Sequence, residues 1–272
     1  MEINFSKIHG LGNDFVVVNE LKGELVKDKV GFAKKFCNRN LGVGSDGVLF
    51  LCSDEAADFR MRIFNSDGSE AENCVNGLRC VALQKHLIDG SKKNDYKIET
   101  LAGPVNAKIL SFENNIAVVE IEFLGKKEFK GKDSVEVNGK EFEYFFVDVG
   151  NPHAVIFMKE QVKDFPVEDT GHKIEFHEKF SPSRTNTEFV NIVSKNEVNM
   201  RVHERGACET MACGSGSIAI VIAGVSQGLL AKGEWIKVNQ PGGTIEINFD
   251  GENVMLKAKA EKVFEGKLEW SE

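Results

Sequence analysis

The chain has 272 residues, 42% of them apolar, which is enough to bury a sizeable core in one large domain or in two domains of ordinary size. Its formal net charge is −8 and no basic block stands out, so nucleic acid and anionic membranes are disfavoured as partners. The opening MEINFSKIHG has no apolar signal core and no apolar run approaches the roughly 20 residues of a membrane span, so we expect a soluble cytoplasmic protein with six free thiols.

The first half of the sequence predicts a helix, two strands and a second helix, in that order. Residues 30–38 have a helical pattern, and residues 48–52 form an apolar run typical of a strand. Residues 58–64 mix β-branched, aromatic and alternating positions as strands do. Residues 74–89 place their apolar side chains near one side of a helix.

The second half predicts a strand and a helix of the same kind. Residues 197–203 have a strand pattern, and residues 213–230 are apolar almost all round, as in a helix buried in a core. The rest of the chain is rich in predicted strands. Hairpin signals occur at Asn138-Gly139 and Asp250-Gly251, and a turn is predicted at Pro241-Gly242-Gly243.

Self-similarity explains why the two halves look alike. Met61-Arg62-Ile63 recurs as Met200-Arg201-Val202, and Glu70-x-x-x-Cys74-x-x-Gly77 recurs as Glu209-x-x-x-Cys213-x-x-Gly216, both 139 residues later. The segment that starts at Gly12 also resembles the segment that starts at Gly150.

These matches predict an α+β fold of two pseudo-symmetric domains, each a curved, mostly antiparallel sheet or barrel around a central helix. The predicted domains are residues 1–119, completed by 262–272, and residues 120–261.

Each copy of the repeat places a cysteine, Cys74 or Cys213, where a loop becomes a buried helix. The first turn of a helix has unpaired N–H groups and a positive dipole end, which bind anions and lower the pKa of a thiol from ~8.5 toward neutrality. Two such thiols, one deprotonated and one protonated, can invert a carbon that bears a carboxylate, by removing a proton on one face and returning another on the opposite face. The N–H donors would stabilise the charge that develops on the carboxylate.

The other cysteines and one glycine motif are interpreted differently. Because free cysteine is among the most buried residue types, Cys37, Cys52 and Cys80 are interpreted as structural, and a structural or incidental role is favoured for Cys208. Residues 42–47 fit the dinucleotide pattern G-x-G-x-x-G, but a helix precedes them and a strand follows, which reverses the order that this site requires. This loop is expected to shape the substrate pocket instead.

The chain resembles the diaminopimelate epimerase family over nearly its whole length. The motifs that carry the resemblance are GLGNDF at 10–15, NSDGSEAENCVNGLR at 65–79, GNPH at 150–153, RTN at 184–186 and RVHERGACETMACGSG at 201–216. The resemblance implies interconversion of LL- and meso-2,6-diaminopimelate on the route to lysine and peptidoglycan. It also implies no cofactor, no metal, a homodimer and a cleft that closes over the substrate.

By matched position, the resemblance implies that Cys74 and Cys213 are the two catalytic acid/base residues. It places His153 and Glu204 where the family orients the amino group of the substrate and supports proton transfer. It further assigns contacts with the substrate to Asn13, Asn65, Val75, Asn76, Gly77, Asn151, Asn186, Glu204, Arg205, Gly214 and Ser215.

The sequence departs from the family pattern at four places. Val75 follows the first cysteine where glycine is usual, and Cys208 occupies a position that is usually small. Gly47 is glutamine in some relatives, and the segment after Cys213 reads GSGSI instead of the more usual GTGAC. These departures bear on which substrate is preferred.

Two other functions stay open at this stage. The first is a racemase or epimerase of another amino acid on the same fold, with histidine, proline, hydroxyproline or lanthionine as substrate, or a phenazine-pathway isomerase. The second is a binding or sensor protein in which the paired thiols act as a redox switch. Retention of all the residues assigned to the distal head group, Arg205 among them, favours diaminopimelate.

Overall fold

The structure is a computed structural model that describes residues 1–271 and divides into two compact units. Unit 1 comprises Met1–Glu122 together with the segment that begins at Lys257, and unit 2 comprises Phe123–Leu256. Among residues 1–271, no helix is long and apolar enough to cross a bilayer.

Unit 1 contains eight strands and two helices before the chain enters unit 2. The strands are β1 (Glu2–Gly10), β2 (Asn13–Glu20), β3 (Gly47–Cys52), β4 (Phe59–Asn65), β5 (Glu70–Ala71), β6 (Asp95–Glu99), β7 (Val105–Glu113) and β8 (Ile116–Phe123). The helices are α1 (Lys29–Phe36) and α2 (Val75–Ile88).

Unit 2 contains a second series, after which the last strand returns to unit 1. The strands are β9 (Glu128–Val137), β10 (Lys140–Asp148), β11 (Pro152–Phe157), β12 (Asn186–Ser194), β13 (Glu197–Glu204), β14 (Cys208–Thr210), β15 (Trp235–Gln240), β16 (Gly243–Phe249) and β17 (Val254–Glu269). The α-helices are α3 (Val167–Glu175) and α4 (Gly214–Ser226), and short 3₁₀ helices occur at Val162–Asp164 and Glu178–Phe180.

The strands of unit 1 close into a barrel. The pairs run β17–β1–β2–β3–β4–β6–β7–β8, and β8 pairs with β17 again. Pairs β2–β3 and β4–β6 are parallel, whereas β1–β2, β3–β4, β6–β7 and β7–β8 are antiparallel. Helix α2 packs against β1, β2 and β7, and all of its first nine residues are buried.

Unit 2 repeats the same pairing pattern. Strands β11 and β12 are parallel like β2 and β3, β12 and β13 are antiparallel like β3 and β4, and β13 and β15 are parallel like β4 and β6. Helix α4 packs against β10, β11, β12 and β16, as the apolar pattern of its sequence predicts. The predicted two-copy α+β fold is therefore confirmed.

The predicted end of the second central helix at residue 230 is wrong. Helix α4 ends at Ser226, because Gly228 adopts a left-handed conformation with φ 66° and the N–H groups of Leu229 and Leu230 both donate to the carbonyl of Gly224. The side chain of Leu230 then folds back onto Gly224, where a Cβ atom would lie 2.4 Å from Cδ1 of Leu230. The apolar run thus continues beyond the helix as packing against it.

The predicted turns are confirmed. Val137 pairs with Lys140, and Asn138 and Gly139 both have positive φ, as a two-residue hairpin of the mirror-image type requires. Pro241 and Gly242 join β15 to β16, and the turn at Asp250-Gly251 joins β16 to β17.

Candidate active site

Cys74 forms the N-cap of α2. Its backbone is extended, and its sulfur accepts a hydrogen bond from the N–H of Gly77 at 3.4 Å. This is the bond that a serine or aspartate side chain usually makes at this position. A Cβ atom on Gly77 would lie 3.1 Å from Leu49 and 3.6 Å from the sulfur of Cys74, so a small residue is needed here.

A chain of side chains links Cys74 to a buried cation. Arg79 is fully buried and donates from Nη2 to Oδ1 of Asn76 at 2.7 Å, and Nδ2 of Asn76 donates to Oδ1 of Asn13 at 3.1 Å. The sulfur of Cys74 lies 4.0 Å from the same Asn13 oxygen. Burial lowers the pKa of Arg79, and the nearby sulfurs of Cys80 and Cys74 act in the opposite direction. Within residues 1–271, no carboxylate forms an ion pair with Arg79.

Asp46 fixes the orientation of Asn13. Its Oδ2 accepts from Nδ2 of Asn13 at 2.7 Å and from the N–H of Asp14 at 3.1 Å. Arg39 in turn donates to both carboxylates, those of Asp14 and Asp46. Asp46 belongs to the glycine-rich loop of residues 42–47, so this loop orients Asn13.

The remaining predicted residues of unit 1 lie close by in the chain. Asn65 ends β4 and donates from Nδ2 to the hydroxyl of Ser69 at 3.0 Å. Val75 is the first residue of α2 and is buried, with 9% of its surface exposed.

Cys213 repeats the geometry of Cys74 in unit 2. It is the N-cap of α4, and its sulfur accepts from the N–H of Gly216 at 3.3 Å and lies 3.4 Å from the hydroxyl of Ser215. Its own N–H donates to Oε1 of Gln240 at 2.7 Å. Gly214, the first residue of α4, is buried.

Two glutamates act on the buried thiol of Cys213. Burial, followed by the charges of Glu204 and Glu188, raises the pKa of the Cys213 thiol well above its ordinary value. Hydrogen bonds from Ser215 and Gly216 act in the opposite direction but are outweighed. The sequence-based expectation that the helix end would lower the pKa of this thiol is wrong, because desolvation penalises the thiolate more than the helix end stabilises it.

Glu204 lies beside Cys213 at the end of β13. Its carboxyl group accepts from the hydroxyl of Thr210 and is hydrogen-bonded to Cys213. Burial raises the pKa of Glu204, and these two hydrogen bonds act in the opposite direction. The carboxyl group of Glu204 therefore lies within hydrogen-bonding distance of the thiol of Cys213.

His153 is fully buried on β11 and is held at both ring nitrogens. Its Nδ1 lies 2.6 Å from Oε1 of Glu188, and its Nε2 lies 3.1 Å from Oδ1 of Asn151. A Cβ atom on Gly216 would lie 2.7 Å from Oε1 of Glu188, so Glu188 touches both the histidine and the first turn of α4.

Asn186 positions the backbone at Arg205. Its Oδ1 accepts from the N–H of Arg205 at 2.9 Å, and its Nδ2 donates to the carbonyl of Pro152 at 3.0 Å. The guanidinium of Arg205 donates to the carbonyl of Ser183 at 2.8 Å. The structure therefore brings Asn151, His153, Asn186 and Arg205 into one hydrogen-bonded region of unit 2.

Three residues that contact the predicted site residues were not predicted from the sequence: Arg79, Asp46 and Glu188. Glu188 had a detectable signal, because it lies two positions after Asn186 on a strand and must share its face. Arg79 also had a local signal, because it follows Asn76 by three residues on α2 and shares its face. Asp46 had none, since its partner Asn13 lies 33 residues away.

The diaminopimelate epimerase family model matches residues 5–122 and 145–263. The chain belongs to the diaminopimelate epimerase family. The diaminopimelate epimerase of Acetivibrio thermocellus is 40% identical over 284 residues, which cover 99% of this chain and 100% of that relative. That of Carboxydothermus hydrogenoformans is 42% identical over 280 residues, which cover 97% and 99%. The predicted family and the predicted enzyme class, an isomerase, are confirmed.

Solved structures share the fold of this family member at low sequence identity. A hydroxyproline epimerase from Agrobacterium vitis, with trans-4-hydroxy-L-proline bound, is similar with a TM-score of 0.74 and 13% identity, covering 98% of this chain and 92% of that one. A phenazine biosynthesis protein of the PhzF family from Bacillus anthracis has a TM-score of 0.71 and 18% identity, covering 99% and 100%. These likenesses concern the fold alone.

Proposed function

We propose that this protein interconverts LL- and meso-2,6-diaminopimelate without a cofactor, and that Cys74 and Cys213 exchange protons with opposite faces of the substrate α-carbon. The observation that carries the proposal is the repeated cap, in which each sulfur accepts the N–H of the glycine three residues later, at 3.4 Å and 3.3 Å. A reactive sulfur at the positive end of a helix lies beside N–H donors that can bind a carboxylate. The names of the relatives that match the whole chain support the substrate.

The contrast in charge supports different resting states for the two thiols. Arg79 is a buried cation without a carboxylate partner in the described chain, so a thiolate at Cys74 would neutralise it. Cys213 is buried and faces Glu188 and Glu204, which disfavour a thiolate. We therefore assign the resting thiolate to Cys74 and the resting thiol to Cys213.

The proposed step follows from this assignment. The Cys74 thiolate removes the α-proton, so that the C–H bond breaks, an S–H bond forms and the electron pair is delocalised into the substrate carboxylate. The Cys213 thiol then gives its proton to the opposite face of the carbon and becomes the thiolate. The N–H groups at the starts of α2 and α4, near Asn76, Gly77, Gly214 and Ser215, would stabilise the charge on the carboxylate.

The residues that the family resemblance assigns to substrate binding have matching chemistry. Arg205 can hold a carboxylate, and the backbone around it is fixed by Asn186. His153 has its orientation fixed by Glu188 and Asn151. Asn13 and Asn65 offer amide groups in unit 1. This polar set suits a substrate with a second amino-acid head group.

The test is incubation of the reduced protein with LL-diaminopimelate in D₂O, followed by mass spectrometry and separation of the stereoisomers. We expect deuterium at the α-carbon together with meso product. Cys74→Ala and Cys213→Ala should each abolish epimerisation, because loss of a positioned acid or base costs on the order of 10²–10⁴ in rate. Cys52→Ser is the matched control and should retain activity.

Two outcomes would contradict the proposal. Turnover of histidine, proline or lanthionine with none of diaminopimelate would favour a different substrate on the same fold. Binding of diaminopimelate by the reduced protein without any isotope exchange would favour a sensor.

A further inference from the structure

Three side chains that can bind a metal ion converge in unit 2. His172 and Glu175 are three residues apart on α3 and therefore share one face of the helix. His203 lies on β13, which packs against α3. One potential ligand atom from each side chain lies within 4.8 Å of those of the other two.

The buried histidine of this group has an unsatisfied nitrogen. The side chain of His203 is fully buried, and its Nε2 lies 2.9 Å from Oε2 of Glu175. Its Nδ1 has no hydrogen-bond partner among residues 1–271. Buried polar atoms are almost always paired, and the acceptor available to this nitrogen is Oε2 of Glu168, 3.7 Å away.

The surroundings of His203 suit a metal-bound imidazole. Oε2 of Glu168 lies 3.7 Å from Nδ1, so each ring nitrogen has a carboxylate within 4 Å. Nε2 faces the proposed ligand Glu175 and would bind the ion, which leaves Nδ1 to donate to Glu168, the usual arrangement around metal-bound histidines. Gly171 allows the ring to lie against α3, because a Cβ atom there would come within 2.2 Å of Cβ of His203.

We propose that His172, Glu175 and His203 bind one divalent transition-metal ion, with Zn²⁺ as the best match. Two imidazoles and one carboxylate suit Zn²⁺, Co²⁺ and Ni²⁺, whereas Mg²⁺ and Ca²⁺ require mainly oxygen ligands. Water would complete the coordination, because His172 is exposed at the surface. The site is distinct from Cys74 and Cys213 in its ligands.

The proposed ion would act on the loop that carries Arg205. Glu175 uses Oε2 toward His203, while its Oε1 accepts from the N–H of Gly206 and from Nη1 of Arg184, both at 3.1 Å. An ion held by Glu175 would thus fix a carboxylate to which the backbone next to Arg205 is bonded. Metal binding is therefore expected to stabilise this loop.

The experiment is a titration of the full chain carrying Cys74→Ser and Cys213→Ser with Zn²⁺, in competition with a chromophoric chelator. The two substitutions remove the proposed catalytic thiols as alternative ligands and make the result independent of the proposed epimerase activity. We expect one equivalent of Zn²⁺ per chain. His172→Ala in the same background should weaken binding by at least about tenfold, and His177→Ala, a histidine from the neighbouring segment, should leave it unchanged.

A second readout separates binding from damage to the fold. His172 is exposed, so His172→Ala should leave the melting temperature of the metal-free protein unchanged. Zn²⁺ should raise the melting temperature of the parent and leave that of His172→Ala unchanged. Equal affinity of the parent and His172→Ala for Zn²⁺, or no stoichiometric binding of Zn²⁺, Co²⁺ or Ni²⁺, would overturn the proposal.

Discussion

Nδ1 of His153 lies 2.6 Å from Oε1 of Glu188, and neither side chain is exposed to solvent. The parallel pairing of β11 with β12 sets this contact, because it places His153 opposite Asn186, two residues before Glu188. Glu188 also borders Gly216 and Cys213. One buried carboxylate therefore connects the histidine with the cap of α4.

Removal of this carboxylate should destabilise the protein. In Glu188→Ala, a buried nitrogen of His153 loses its partner, so the free energy of unfolding should decrease by about 1–3 kcal/mol. The decrease should be smaller in Glu188→Gln, because the amide oxygen can still accept a hydrogen bond. Urea denaturation measures the change. Glu143→Ala, which breaks an exposed pair with Lys132, should cost no more than about 1 kcal/mol. Equal stability of Glu188→Ala and Glu143→Ala would contradict the assignment.

The glycines that donate to the two sulfurs should differ in their tolerance of a methyl group. In Gly216→Ala the added Cβ would lie 2.7 Å from Glu188 and 3.2 Å from the sulfur of Cys213, whereas in Gly77→Ala its nearest neighbour, Leu49, is 3.1 Å away. We expect Gly216→Ala to lose about 1–3 kcal/mol of stability and Gly77→Ala to lose less. Thermal or urea unfolding of the two variants measures these changes. A larger loss of stability in Gly77→Ala than in Gly216→Ala would contradict the geometry.

Alkylation should distinguish the two thiols. With the substrate absent, iodoacetamide should modify Cys74 before Cys213 at neutral pH, because burial and two glutamates raise the pKa of Cys213 and its thiolate forms only at higher pH. Arg79→Met should move the alkylation of Cys74 to higher pH, since the cation that favours its thiolate is removed. Arg79→Lys retains the charge and should keep the profile close to that of the parent. Peptide mapping across a pH series measures the extent of alkylation at each cysteine. If the pH dependence of Cys74 alkylation were the same in Arg79→Met and in the parent, the assignment would be contradicted.

Asp46 should influence substrate binding through Asn13. Asp46→Ala releases Nδ2 of Asn13 and should raise KM by about tenfold, the loss of roughly one well-placed hydrogen bond, while kcat changes less. Asp67→Ala is a control, because Asp67 is exposed and its carboxylate accepts from the N–H and hydroxyl of Ser69 in the same turn. Steady-state kinetics measure KM for both variants. An equal KM in Asp46→Ala and Asp67→Ala would argue against a role for Asp46.

The repeat and the two cysteine caps could be predicted because their signals are local in the sequence. The signal for each cap is a cysteine that follows a predicted strand by about ten residues and precedes a glycine by three. The same glycine spacing decides the observed bond from N–H to sulfur. The sequence did not predict which strands pair, but the parallel pairs β2–β3 and β11–β12 repeat the two-copy pattern that it did predict.

The parts that could not be predicted depend on partners distant in the chain. Asp46 reaches Asn13 across 33 residues, and Glu188, although its face of the strand could be inferred, reaches His153 across 35. The pKa of Cys213 depends on how deeply the thiol is buried, which its position at a helix end does not reveal. The end of α4 was missed because Leu230 is apolar like the residues of the helix but folds back onto it.

Two copies of a strand pattern on one polypeptide can diverge position by position, which two identical subunits encoded by one gene are unable to do. In this chain the copy around Cys74 contains a buried guanidinium, and the copy around Cys213 contains two carboxylates. Duplication within a single chain thus makes possible a fixed division of labour between otherwise equivalent halves.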